Sequence, residues 1–100
     1  MTWGSPEEIE RRRRIRVSLW AYAYEIRDTP FVSDSRFDDQ CRLIDLSVDT
    51  GNREMDVFFR THFTPDTGMW IHKHPDLTGL ATLYERVRSG RITDIRELVG

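Results

Sequence analysis

Apolar positions recur along most of this chain at the three-to-four residue spacing of an amphipathic helix. Ile15, Leu19, Tyr22, Ala23 and Ile26 form one stripe. Ser5-Pro6-Glu7-Glu8 precedes it and supplies a cap, a proline suited to the first helical position and a capping-box glutamate. The pattern predicts a first helix running to about Arg27. Asp28-Thr29-Pro30 stops it, because the residue before proline is pushed out of the helical region. Ser33 then caps a second helix, with Asp34 at its positive end. Phe37, Cys41, Ile44 and Val48 mark its buried side, Leu43 and Leu46 widen it, and Thr50-Gly51-Asn52 ends it. A short link between two such helices predicts an antiparallel pair.

The next segment has two readings. Met55, Phe58, Phe59 and His62 have helical spacing, whereas Met55, Val57, Phe59, Thr61 and Phe63 alternate as in a strand. Thr64-Pro65-Asp66-Thr67-Gly68 is a turn signal, and Met69-Trp70-Ile71 would be the second arm of a hairpin. The favoured expectation is a helix followed by an extended segment. Leu77, Leu80, Tyr84 and Val87 predict another helix, closed by Ser89-Gly90. Thr93, Ile95, Leu98 and Val99 predict a last short one. The expected fold is all-α, a small helical bundle built on an antiparallel helix pair, with one short β-hairpin as the alternative for part of it. One hundred residues suit a single domain, with the helix pair over 5–49 and an extension over 53–100.

Composition narrows the function classes. Hydrophobic residues at 38% and charged ones at 32% describe a charge-laced globule rather than a disordered chain. A net charge of -2 gives no general attraction to nucleic acid or to an anionic membrane. No apolar run reaches the roughly 20 residues of a membrane span. The lone Cys41 excludes an internal disulfide, and with no apolar leader the expected location is a reducing cytoplasm. Lys73 is the only lysine, so lysine chemistry has one candidate.

Four constellations carry candidate chemistry. Asp34, Phe37 and Asp38 share a helix face, and the link brings that face back toward Tyr24 and Tyr22. Rings stacked on a planar cation with carboxylates beside them suit a nicotinamide or amine ligand. The competing reading makes Asp34 a dipole partner, Asp38 solvated and Phe37 core. His62, His72 and His74 offer weak metal ligands with Asp66 or Asp76, but their spacing matches no zinc signature. Polar residues beside a turn and a Pro-Asp helix cap are the plainer account. Arg11 to Arg14 and Arg16 form a collar around the first helix. Glu7, Glu8 and Glu10 lie within pairing distance, so a solvated, partly paired helix is expected. Arg12 and Arg13 remain candidates for a partner surface, as does Trp70 if it is exposed. No sequence-specific nucleic-acid motif is present.

The segment from Tyr22 and Tyr24 through Asp28-Thr29-Pro30 to Ser33-Asp34-Ser35-Arg36-Phe37-Asp38 resembles a known one. Across residues 15–47 it is similar to the small N-terminal helical domain of bacterial NAD-dependent DNA ligases. In those ligases this domain closes over NAD and holds the nicotinamide mononucleotide (NMN) half. The resemblance implies ligand contacts at Tyr24, Asp34 and Asp38, with Phe37 in place of a tyrosine. Glu25 stands where the family often has histidine or tyrosine. The adenylated Lys-x-Asp-Gly motif is absent, since Lys73 lies in His72-Lys73-His74-Pro75-Asp76. The chain is therefore expected not to seal DNA. The leading expectation is a non-catalytic, ligase-related accessory protein of phage type that docks on a host replication or repair protein. The alternatives are a stand-alone NAD or NMN binding domain, with no cofactor required, and a small metal enzyme using the histidines.

Overall fold

The computed structural model describes residues 4–90. They form α1 (Pro6–Glu25), α2 (Asp34–Arg42), α3 (Arg53–His62), a 3-10 turn (Met69–Lys73) and α4 (Leu77–Arg88). No strand occurs among the described residues, so the all-α expectation holds and the hairpin alternative does not. The expected last helix around Thr93 lies outside the described residues. Among those described, no helix is long and apolar enough to cross a membrane.

Short polar side chains start each α-helix. Ser5, Ser33, Asn52 and Asp76 accept from the amides of Glu8, Arg36, Met55 and Gly79. Each such cap is worth about 1 kcal/mol. Asn52, expected at the end of the second helix, instead opens the third. At the end of α1 the chain reverses through Asp28, whose φ of 52° is left-handed, and the Thr29 amide returns to the Ala23 carbonyl. Aspartate tolerates that conformation better than most residues.

α1 is the central element, packed against α2, α4 and the 3-10 turn. Its expected stripe is confirmed at Leu19, Tyr22 and Ala23, but Val17, Ser18 and Ala21 are buried as well, and Ile26 is exposed. A helix surrounded on three sides buries more than one stripe. Arg16 donates to Gln40, and Arg36 lies over the Trp20 ring, so α2 runs antiparallel to α1 as expected. The core joins Val17, Leu19 and Ala23 to Phe58, Phe59, Trp70, Ile71, Leu80 and Tyr84. Trp70 sits among Phe58, Phe59 and Phe63, with ring centroids 5.1–6.1 Å apart. At 5% exposure its ring is core, which corrects its candidacy as a partner surface.

α2 is shorter than its apolar pattern predicts. It ends at Arg42, Leu43 is exposed, and Ile44, Leu46 and Val48 follow in irregular backbone. Arginine side chains satisfy carbonyls of that segment in place of helical hydrogen bonds. Arg13 donates to Leu43 O at 2.9 Å, and Arg14 to Asp45 O at 2.8 Å and Val48 O at 3.1 Å. Arg60 reaches Leu46 O and Arg11 reaches Thr50 O.

The arginine run is paired with Glu8 and Glu10 as expected, but Arg14 is not solvated. Arg14 is 3% exposed and joins two buried carboxylates, with Nε 2.8 Å from Glu10 Oε2 and Nη1 2.7 Å from Asp56 Oδ1. Thr50 donates to both oxygens of Asp56, and the Asp45 amide donates to Glu10. Desolvation opposes ionisation of Asp56, but hydrogen bonds from Thr50 and the Arg14 charge hold its carboxyl below the usual range. Every member of this buried network has a partner, the condition under which buried charge is tolerated.

Candidate functional site

The corner singled out in the sequence is an open cleft of about 330 Å³. α1 contributes Ala21, Tyr24 and Glu25, while α2 contributes Asp34, Phe37 and Asp38. The third wall is the loop at Asp66, Thr67 and Gly68. The Asp28 reversal sets the first two walls side by side. The loop packs on both helices: a Cβ at Gly68 would lie 3.5 Å from Ala21 and 3.6 Å from Phe37.

Each side chain has a distinct setting. Tyr24 is 51% exposed, so its ring is available to a ligand. Phe37 is half-buried against the core and presents its remaining surface to the cleft. Asp34 is exposed in the first turn of α2, and Asp38 one turn later is half-buried. Glu25, Asp34, Asp38 and Asp66 place four carboxylates in the lining, which contains no lysine or arginine. Among the described residues no ion pair reaches Asp34, Asp38 or Asp66. Glu25 Oε2 stands 4.0 Å from Nε2 of the exposed His72. Behind the cleft, burial and the charge of Asp38 push the Cys41 thiol up to about 12, leaving a neutral core side chain.

The structure thus brings together Tyr24, Asp34, Phe37 and Asp38 but not Tyr22. Tyr22 is 5% exposed and meets Tyr84 edge-on at 5.7 Å. Two residues apart on a helix means about 200° of rotation, so Tyr22 and Tyr24 face opposite ways. Arg27 fastens that side of the α1 end by pairing with Glu85 at 2.6 Å and lying 4.4 Å over the Tyr84 ring. Asp66, Thr67 and Gly68 had no assigned part in the corner. The only signal in the sequence is that their turn is polar, and polarity does not say which helix ends a turn will pack on.

The remaining candidates lie elsewhere. Arg12 is 3.7 Å from Glu8, and Arg13 is held by Glu10 and Leu43 O. His62 packs on Phe58 with centroids 5.6 Å apart, and His72 is exposed. His74 is buried edge-on to Phe58 at 5.1 Å. Its Nδ1 accepts the Asp76 amide, and burial pushes the imidazole down to about 4. Among the described residues no three His, Cys, Asp or Glu side chains are grouped to hold a metal ion.

Comparison of the chain with protein-family models, with curated proteins and with solved structures finds no match.

Proposed function

We propose that the corner between α1 and α2 binds a planar organic cation, of the kind found in the N-substituted pyridinium ring of a nicotinamide nucleotide. The observation that carries this reading is the convergence of Tyr24, Phe37, Asp34 and Asp38 in one open cleft of about 330 Å³. That volume falls within the range of small-molecule pockets. In this reading the Tyr24 and Phe37 rings flank the ligand ring, since aromatic faces attract cations. Asp34 and Asp38 accept hydrogen bonds from its amide or from ribose hydroxyls.

Charge refines the ligand. Four carboxylates and no lysine or arginine line the cleft, so a ring cation is attracted and a phosphate is repelled. Nicotinamide riboside therefore suits the cleft better than NMN or NAD. The role is binding without catalysis, consistent with a scaffold related to the ligase domain. Docking on a host replication or repair protein is a separate role, and it no longer has Trp70 as an anchor, because that ring is core.

Isothermal titration with nicotinamide riboside, NMN and NAD tests the reading. The expected result is saturable heat, strongest for the riboside, that is lost on Tyr24→Ala. Absence of heat from all three at millimolar concentration would sink it.

A further inference from the structure

His72 stands beside the acidic cleft without lining it. Its Nε2 is 4.0 Å from Oε2 of Glu25, one of the four carboxylates in the lining. The fold holds that approach in place. Trp70 and Ile71 are buried, which anchors the 3-10 turn that carries His72. Gly68, just before the turn, packs on Glu25 itself, since a Cβ there would lie 3.5 Å from Glu25 Cγ. The Glu25 side chain is 19% exposed, so water screens its charge less than that of a free surface group. The His72 side chain is 48% exposed and exchanges protons with solvent directly.

A neutral His72 leaves the charge of the lining as it is. A protonated one sets a cation beside Glu25 and offsets one of the four negative charges. Histidine is the side chain whose charge changes between about pH 5 and 8. The other charged groups around it are Glu25 on α1, Asp66 on the loop, Asp34 and Asp38 on α2, and Lys73 next in the turn. Carboxylates as a class titrate below that range and lysines above it, so of these groups His72 is the one that changes charge within it. We propose that a proton on His72 and a cation in the cleft compete, so that mild acid weakens binding of the planar cation. This inference rests on the cation reading of the cleft. The competition is reciprocal by linkage, so the bound cation also expels the proton.

Nicotinamide riboside is the probe, because its ring charge is permanent. Isothermal titration of the full chain at about pH 5.5 and about pH 7.5 brackets the histidine range. The parent is expected to bind about threefold more weakly at the lower pH, the scale of one partly exposed ion pair. Between the two, its heat is expected to vary with the ionisation enthalpy of the buffer, because binding releases a proton. In His72→Gln both effects are expected to vanish, with affinity at the higher pH unchanged. Three results would overturn the proposal while leaving the cleft reading in place: equal affinity of the parent at both pH values, the same pH dependence in His72→Gln, or a loss of affinity in that variant at the higher pH. The last would make His72 a ligand contact rather than a competitor. No binding by the parent at the higher pH would overturn the cleft reading and this inference with it.

Discussion

The two ends of α1 treat charge in opposite ways. Toward its start, Glu10 and Arg14 are buried with Asp56, and every charged atom has a partner within 3 Å. Toward its end, Glu25 joins Asp34, Asp38 and Asp66 around an open cleft with no arginine or lysine in its lining. One end uses charge to organise a loop. Arg14 alone ties two carboxylates to the carbonyls of Asp45 and Val48. The other end lines a cleft with carboxylates that have no arginine or lysine beside them. Acidic side chains of one chemical kind are thus buried in a network or left without an ion pair according to whether the fold supplies a cation beside them.

The sharpest way to break this comparison is Arg14→Met. It leaves Asp56 as a buried carboxylate without its cation and Glu10 with Arg13 alone, which is expected to cost about 3–5 kcal/mol. That is a large share of a small domain's stability and is visible as a lower urea midpoint. A midpoint close to the parent's would show that the network is not what holds the 43–50 segment.

Acid sharpens the contrast through His74. The unfolded chain takes up a proton near the ordinary value of 6.5, whereas burial holds the folded group down to about 4. Stability from the neutral imidazole is therefore complete above 6.5 and is lost as pH falls from there toward 4. The expected loss is about 2–3 kcal/mol over that window. His74→Asn is expected to flatten the urea-midpoint profile there. A steep profile in the variant would place the titration elsewhere. The Asp56 carboxylate loses its contribution at lower pH, since, against desolvation, hydrogen bonds from Thr50 and the Arg14 charge hold it below the usual carboxylate range.

The smallest stability effect is expected at the corner. Asp38→Asn combined with Asp66→Asn removes two cleft carboxylates that make no ion pair among the described residues. Thermal unfolding is expected to change by about 0.5 kcal/mol or less, the usual range for positions outside any buried network. Nicotinamide riboside binding is expected to weaken strongly. A large loss of stability would make these aspartates structural and erase the contrast.

Local signals carried much of this through to the structure. Ser5 and Ser33 cap as their positions imply, Asp28-Thr29-Pro30 ends α1, and Ser89-Gly90 closes α4. Such features depend on a few neighbouring residues. The end of α2 was not legible, because Ile44 and Val48 continue the helical rhythm while the groups that replace helical bonding lie on α1 and α3. Trp70 was open in sequence, and three rings packed on it decided it.

The corner divides the same way. Its ring and carboxylates at 24, 34, 37 and 38 follow from helical spacing across a short link, so the sequence by itself determined that they would gather. It also pointed to an all-α fold, through apolar periods of helical spacing everywhere except the segment after Asn52, where a strand reading stayed open. Only tertiary structure decided that Tyr22 faces the core, that Asp66 to Gly68 close the cleft, and that Arg14 is buried. Periodicity is set within a few residues of chain. Burial of a charge, or the wall a loop provides, depends on groups brought from dozens of residues away, and no local pattern encodes that distance.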